Sequence, residues 1–311
     1  MSDKWWMRLN NPALPLGEFQ VGVIGIPYDG AVSRKAGACA APDILRKISK
    51  DVGPLTESQI NLSSLKLRDL GNIEVRNTLR PEVAHKQIVA YMSSLLHDDF
   101  VLATIGGDHS ITCGVLEAYD INYQVGVVWF DSHPDLMNKF GGISYDGFSQ
   151  YSHACSLRRI MELPRIDPAN VLLVGIRNTF PEEYKFITQY DIDTIYARDL
   201  STMSPSTLSK RIIRKFANLK KVYVSFDIDV LDPSAAPGTG VPVPGGISSR
   251  YLLDFIQSLH CPQSEKPLSL LGFDIVEISP PLDVNQITCM VGMRIFAEML
   301  GFIKRTQGEH N

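Results

Sequence analysis

A three-layer α/β/α domain around a mostly parallel sheet is the fold this chain predicts, on three observations. Apolar runs recur along it (FQVGVIGIPY, VLATI, VGVVWF, NVLLVGI, VYVSF and LSLLGFDIV) without the polar alternation of a half-solvated strand. Such runs imply burial on both faces, as in a parallel sheet covered by helices. Segments of helical spacing alternate with them, the pattern of doubly wound α/β folds. Finally, 311 residues that are 44% hydrophobic and 21% charged suffice for one large core. No linker, internal repeat or low-complexity segment interrupts the chain. Residues 1–311 are therefore read as a single domain, with 1–18 as an N-terminal extension. Periodicity does not supply the strand order.

The elements follow in sequence. FQVGVIGIPY (19–28) predicts the first strand. After a glycine-containing loop, Pro42-Asp43 starts a helix near 41–50, because proline suits the first turn. LKLRDLGNI (65–73) predicts another strand, and residues 81–96 a helix with Val83, Ile88, Val89 and Met92 on its apolar positions. VLATI runs into a helix that opens at His109-Ser110. VGVVWF leads into an irregular stretch, 137–152, rich in Gly and Ser. NVLLVGI (170–176) is a buried strand, 181–190 a helix, and 208–216 another. VYVSF is a strand, 248–259 a helix, LSLLGFDIV (268–276) the last strand, and 287–303 the closing helix.

Several function classes are excluded. Thirty Lys and Arg against 34 Asp and Glu leave a net charge of −4, and no basic run points to nucleic acid or an anionic membrane surface. The N-terminal MSDKWWMRLNNPALPLG lacks the apolar core of a signal peptide. No apolar run approaches the roughly 18–20 residues of a membrane span. Five cysteines, at 39, 113, 155, 261 and 289, are odd in number and show no CxxC spacing, as expected of reduced thiols in a cytoplasmic protein. Trp5 and Trp6 have no assigned role, and packing at an interface is the expectation for them.

Three segments carry the chemistry: Gly106-Gly107-Asp108-His109-Ser110, Asp131-Ser132-His133-Pro134-Asp135 and Ser225-Phe226-Asp227-Ile228-Asp229. Each follows or closes an apolar run, so its Asp and His gather at the carboxyl ends of parallel strands, where open α/β sheets place ligands. Residues i and i+2 of a strand share a side. Asp131 and His133, and likewise Asp227 and Asp229, can thus project together. Asp131, Asp135, Asp227 and Asp229 would bring four negative charges into one cleft, which requires compensating cations. Two divalent ions supply that charge. Carboxylates and imidazoles without thiolate favour a hard or borderline ion such as Mn²⁺, with Co²⁺ or Ni²⁺ as substitutes. Asp108 is read as a cap and loop organiser at the helix start. The Gly- and Pro-rich run from Pro233 to Gly246 reads as a structural turn.

GGDHS, DSHPD and SFDIDVLDPSAAPGTGVPVPGG resemble the three signatures of the arginase/agmatinase (ureohydrolase) superfamily, and DIVEISPPLD resembles its substrate-glutamate segment. The resemblance runs from about Val21 to the C-terminus. One departure is Ser132, where the family usually has Ala. The resemblance implies an arginase-like fold and two Mn²⁺ per chain. His109 and Asp135 would bind one ion, His133 and Asp229 the other, and Asp131 and Asp227 would bridge both. It also implies His153 as a proton shuttle, Glu277 as the carboxylate that holds a planar guanidinium, and a trimeric or hexameric homo-oligomer.

Two such metals would lower the pKa of a shared water from ~15.7 toward neutrality and so supply a nucleophile able to attack a guanidinium carbon. Asp135 is placed to accept a hydrogen bond from that nucleophile. An unperturbed His titrates near ~6.5, which suits a shuttle at His153. Within the family the chain looks closest to agmatinases and guanidino-acid hydrolases, which release urea and an amine. Arginases hold the amino acid's carboxylate with an Asn where this chain has Met137, flanked by Asn138. They also follow the strand-end Arg with an Asp, where Arg177 is here followed by Asn178, the candidate substrate contact. Tail contacts are expected from 137–152 and 178–183. The rivals are arginase, a formimidoylglutamase releasing formamide, with Arg158, Arg159 or Arg177 meeting a carboxylate, and a catalytically silent, metal-stabilised oligomer.

Overall fold

The protein was analysed as a computed structural model, which describes residues 5–75, 80–96, 100–259 and 267–306. Its strands are β1 (Val21–Ile26), β2 (Leu67–Asn72), β3 (Val101–Gly106), β4 (Val125–Phe130), β5 (Phe140–Gly141), β6 (Phe148–Ser149), β7 (Val171–Ile176), β8 (Asp193–Tyr196), β9 (Lys221–Asp227) and β10 (Leu270–Val276). Eight form one sheet in the order β2-β1-β3-β10-β9-β4-β7-β8, and every pair in it is parallel. The expected three-layer fold is borne out.

Side-chain alternation builds the two outer layers. On β4, Val128 and Phe130 face one core with Val222, Val224 and Phe226 of β9, while Val125, Val127 and Trp129 face the other. Helices Ala41–Ile48, Pro205–Phe216, Ser249–Ser258 and Ile287–Thr306 supply the first core. Helices Pro81–Ser93, Ile111–Glu117, Ser156–Ile160 and Pro181–Gln189 supply the second. The inner strands β1, β3, β10, β9, β4 and β7 are buried on both faces, so near-continuous apolar sequence is what their position requires.

Differences from the sequence reading have local causes. Edge strand β8, DTIY, is only partly buried and too polar to read as a run. The helix expected at 208–216 begins at Pro205, because Ser204 caps it by accepting the Thr207 N–H at 3.2 Å. The irregular stretch 137–152 contains a short antiparallel pair, β5 with β6. Trp6 is a core residue rather than an interface one. Its ring packs on Phe296 at 4.9 Å and its Nε1 donates to Asp69 Oδ2 at 2.7 Å. Arg46 lies 5.7 Å from both tryptophan rings and pairs with the same Asp69 carboxylate at 2.8 Å. Cys113, Cys155 and Cys289 are free thiols, and Cys261 lies outside the described residues. Among the described residues no helix is long and apolar enough to cross a membrane.

Candidate active site

The chain lays β1, β2 and β3 on one side and then crosses to β4 on the other, leaving β10 and β9 to fill the gap. Ligand sites of α/β sheets lie at such reversals, beyond the carboxyl ends of the strands. Here β3, β10, β9 and β4 are neighbours, and their ends carry His109, Glu277, Asp227 and Asp131.

After β3 the chain turns through Gly107, where a Cβ would lie 1.8 Å from the Tyr28 carbonyl oxygen, so only glycine fits. Asp108 organises this loop, accepting the Ala31 N–H at 2.8 Å and the Ser110 N–H at 3.0 Å. It does not cap the following helix, whose N-cap residue is Ser110.

His109 is fixed from behind. Ser225 Oγ donates its one proton to Asp274 Oδ1 at 2.6 Å and so must accept from His109 Nε2, 2.8 Å away. Asp274 also accepts from Thr112 Oγ1 at 2.7 Å and from the Tyr223 hydroxyl at 2.9 Å. The Trp129 ring stacks on the imidazole at 3.9 Å and 3°, and its Nε1 donates to Asp131 Oδ2 at 3.0 Å. The network thus assigns the Nε2–H tautomer in the neutral ring. Nδ1 then turns a lone pair toward Asp131 Oδ2 at 3.0 Å, Asp227 Oδ2 at 3.2 Å and Asp135 Oδ2 at 3.3 Å. It is buried and has no hydrogen-bond partner. Acceptors converging on an acceptor need a cation between them.

Next to it, His133 Nδ1 lies 3.4 Å from Asp131 Oδ1 and 3.2 Å from Asp229 Oδ2. Two sets of candidate metal-ligating atoms result, His109–Asp131–Asp227 and Asp131–His133–Asp229, each with its atoms within 4.8 Å of one another and with Asp131 in both. Backbone amides aim the carboxylates. The Asp229 N–H donates to Asp227 Oδ1 at 2.7 Å, the His133 N–H to Asp131 Oδ1 at 2.6 Å, and the Ser132 N–H to Asp229 Oδ1 at 3.0 Å. Asp135 and Glu277 hold left-handed backbone at φ 52° and 62°. Such strain costs of order ~1–3 kcal/mol and clusters at functional sites. Burial first, then the neighbouring carboxylates, pushes Asp135 and Asp227 well above the usual carboxylate range. Burial alone would lower the His109 pKa, but with no ion bound Asp131 and Asp135 outweigh it and raise it to about 9, so that a proton on Nδ1, shared with Asp131, would stand where a bound cation otherwise would. The cluster is short of positive charge.

Glu277 joins the cluster to His153. Its Oε1 accepts the His109 N–H and His153 Nδ1, both at 2.9 Å. Its Oε2 has no hydrogen-bond partner among the described residues. The Ser33 N–H donates to His153 Nε2 at 3.0 Å, which assigns the proton to Nδ1. Burial lowers the His153 pKa, and the charge and hydrogen bond of Glu277 outweigh it, leaving the group above its ordinary value.

A cavity of about 140 Å³ opens above these groups. Of the predicted site residues, His133, Asp135, His153, Asn178, Asp227, Asp229 and Glu277 line it, while His109 and Asp131 lie deeper. Met137, Phe140, Asn178, Phe180 and Glu183 supply wall from the two predicted tail segments. Asn138 does not line it and instead takes the Arg159 Nη2 at 3.3 Å. The three arginines considered for a carboxylate are spent elsewhere. Arg177 donates to the carbonyls of Asp229 and Val243, Arg158 lies 3.9 Å from the Phe186 ring, and Arg159 pairs with Glu162. Sequence reasoning missed Ser33, Arg34, Thr239 and Val241, which complete the wall. It also missed Ser225 and Asp274, which orient His109. The Pro233–Gly246 run is therefore more than a turn. A Cβ on Gly240 would sit 2.6 Å from the Lys35 carbonyl oxygen, so its glycine lets two wall loops meet.

Residues 19–301 match the sequence model of the arginase family. Proclavaminate amidinohydrolase of Streptomyces clavuligerus is 33% identical, over 95% of this chain and 91% of its own length. Guanidinopropionase of Pseudomonas aeruginosa is 32% identical, over 90% and 86%. Among solved structures, the agmatine ureohydrolase of Thermoplasma volcanium superposes with a TM-score of 0.82 at 27% identity, covering 100% of this chain and 98% of its own.

Proposed function

The chain belongs to the arginase family, hydrolases of C–N bonds in guanidino compounds, and from that premise we propose a binuclear-metal ureohydrolase that cleaves agmatine or a small guanidino acid to urea and an amine. The observation that carries the metal reading is the buried His109 Nδ1, a lone pair without a hydrogen-bond partner and ringed by three carboxylate oxygens. The donor set fits hard or borderline divalent ions, with Mn²⁺ the preferred one. His109, Asp131, Asp135 and Asp227 would hold one ion, and Asp131, His133, Asp227 and Asp229 the other. Bound there, such a pair supplies water activation near neutral pH and stabilisation of developing negative charge.

The protein's own groups do the rest. Glu277 Oε2 accepts a guanidinium N–H, while its Oε1 is held by the His109 N–H and His153. Charge-assisted hydrogen bonds of this kind orient the planar group. Asp135 accepts a hydrogen bond from the attacking water. Water adds to the guanidinium carbon, the C–N bond to the tail breaks, and the departing amine takes a proton. The proton released by the water passes to His153 Nε2 once the Ser33 N–H gives way, and His153 hands it on to the amine. Met137 and Asn178 line the wall without the polar pair an α-amino acid needs, which supports a simpler tail than that of arginine.

The free thiols of Cys113, Cys155 and Cys289 support a reducing, cytoplasmic setting. A homo-oligomer is proposed by family likeness alone. The test is a product screen with Mn²⁺-loaded protein against agmatine, guanidinobutyrate, guanidinopropionate, arginine and formimidoylglutamate. Urea is expected from one or more of the first three at higher kcat/KM than from arginine. Formamide as the main product would contradict the assignment.

A further inference from the structure

One charged group lining the cavity has no part in the candidate metal-ligating cluster or in the proposed guanidinium anchor. Arg34 is the only Lys or Arg lining the cavity among the described residues, and it makes no hydrogen bond or ion pair with any of them. Its loop is built rather than loose. The Asp29 carboxylate accepts the Gly37 N–H at 2.6 Å and the Cys39 N–H at 3.1 Å. Ser33, next to Arg34, donates its N–H to His153, whose other nitrogen meets Glu277. Arg34 therefore stands one residue beyond a relay that ends on the guanidinium anchor.

The rest of the cavity carries no competing tail site. Glu183 is its only carboxylate outside the cluster and the anchor. Both of its oxygens are committed, Oε1 to the Leu136 N–H at 3.0 Å and Oε2 to the Phe180 N–H at 2.9 Å. It braces the wall and has little left for an ammonium. The lining also includes the apolar Met137, Phe140, Ala154, Phe180 and Val241, which suit a methylene chain. The cavity thus offers a carboxylate for one end of a ligand, apolar wall, and an unpaired guanidinium for the other.

We propose that Arg34 is a specificity-determining residue that binds a substrate carboxylate, so that the substrate is an ω-guanidino carboxylic acid rather than a guanidino amine. This rests on the ureohydrolase reading above and narrows it. An ammonium tail would face Arg34 as a like charge. A carboxylate tail would gain a charge-assisted, two-pronged hydrogen bond. Because Arg34 is exposed, solvent screens the pair, and an effect of roughly fivefold to tenfold is expected rather than an all-or-none one.

Guanidinobutyrate and agmatine share the reactive end and differ in tail charge, so they test this directly. Wild-type, Mn²⁺-loaded protein should show kcat/KM for guanidinobutyrate about tenfold or more above that for agmatine. Arg34→Gln should raise KM for guanidinobutyrate roughly fivefold to tenfold with kcat nearly unchanged, and leave agmatine unaffected or improved. Arg34→Lys should recover part of the loss, and Arg34→Glu should narrow or reverse the preference. Agmatine serves as the internal control for folding of each variant. Urea from both compounds without preference, or an equal loss on both in Arg34→Gln, would overturn the role of Arg34 and leave the ureohydrolase reading standing. No urea from either compound with fully loaded, folded protein would overturn both.

Discussion

The floor and the rim of the cavity are built on opposite principles. On the floor, His109, Asp131, Asp227 and Asp229 sit at the ends of neighbouring strands and are nearly or fully buried. Each is held by a second group: His109 by Ser225, itself held by Asp274, Asp131 by Trp129, Asp227 by the Asp229 amide and Asp229 by the Ser132 amide. The rim comes from four separate loops carrying Ser33 and Arg34, Met137 and Phe140, Asn178 and Phe180, and Thr239 and Val241. Several of these side chains are exposed, and Arg34 has no partner among the described residues. A rigid floor fixes the reacting groups, whereas loops vary without disturbing the sheet. Under the proposed function, reaction chemistry would rest on the strands and choice of substrate on the loops.

That division is open to test by substitution. The largest effect is expected at Asp227→Ala, which should lower kcat by on the order of 10³-fold or more and reduce metal content. Asp229→Ala should be milder, because in the proposed assignment Asp229 would hold one ion whereas Asp227 would hold both. Elemental analysis that finds two tightly bound ions in Asp227→Ala protein would contradict the floor as described. His153→Ala should lower kcat ~10²–10⁴-fold, with a smaller change in KM, as for a general acid–base group. An unchanged kcat would hand the proton to another residue.

Ser225→Ala sharpens the contrast, since Ser225 touches no substrate. It removes the acceptor that holds His109 Nε2–H and leaves Asp274 short of a donor, so metal affinity should fall about 10- to 100-fold. Metal titration followed by calorimetry measures this, and an unchanged affinity would show that the floor does not depend on its support. The smallest effect belongs to the rim. Met137→Ala should change KM for the preferred substrate roughly threefold to tenfold and leave metal content alone. A loss of bound metal in that variant would break the separation of floor from rim.

The same division decides what could be read from the sequence. The floor was legible because its residues fall in short segments at the ends of apolar runs: Asp131, His133 and Asp135 within five positions, Asp227 and Asp229 within three. Strand geometry turns that spacing into convergence. The rim was legible only in part. Met137 and Asn178 follow such segments, but Arg34 lies 243 positions from Glu277 along the chain and carries no local signal. Its relevance follows from the strand order, in which β1 lies beside β3. Ser225 and Asp274 were quoted with their motifs but given no task, because a hydrogen-bonded pair across two adjacent strands is a matter of register. Trp6 was misjudged for a related reason: a tryptophan near the N-terminus resembles a surface anchor until its partners, Asp69 and Phe296, are known.

The central claim is that the floor holds two divalent ions and that guanidine hydrolysis depends on both. The most direct measurement starts from protein stripped of metal by chelation and verified metal-free. Mn²⁺ is then added in steps, and urea release from guanidinobutyrate and agmatine is followed at each step. The account predicts no urea at the start and a rise that levels off at about two equivalents per chain. Full activity in the metal-free protein, or a plateau at about one equivalent, would contradict it.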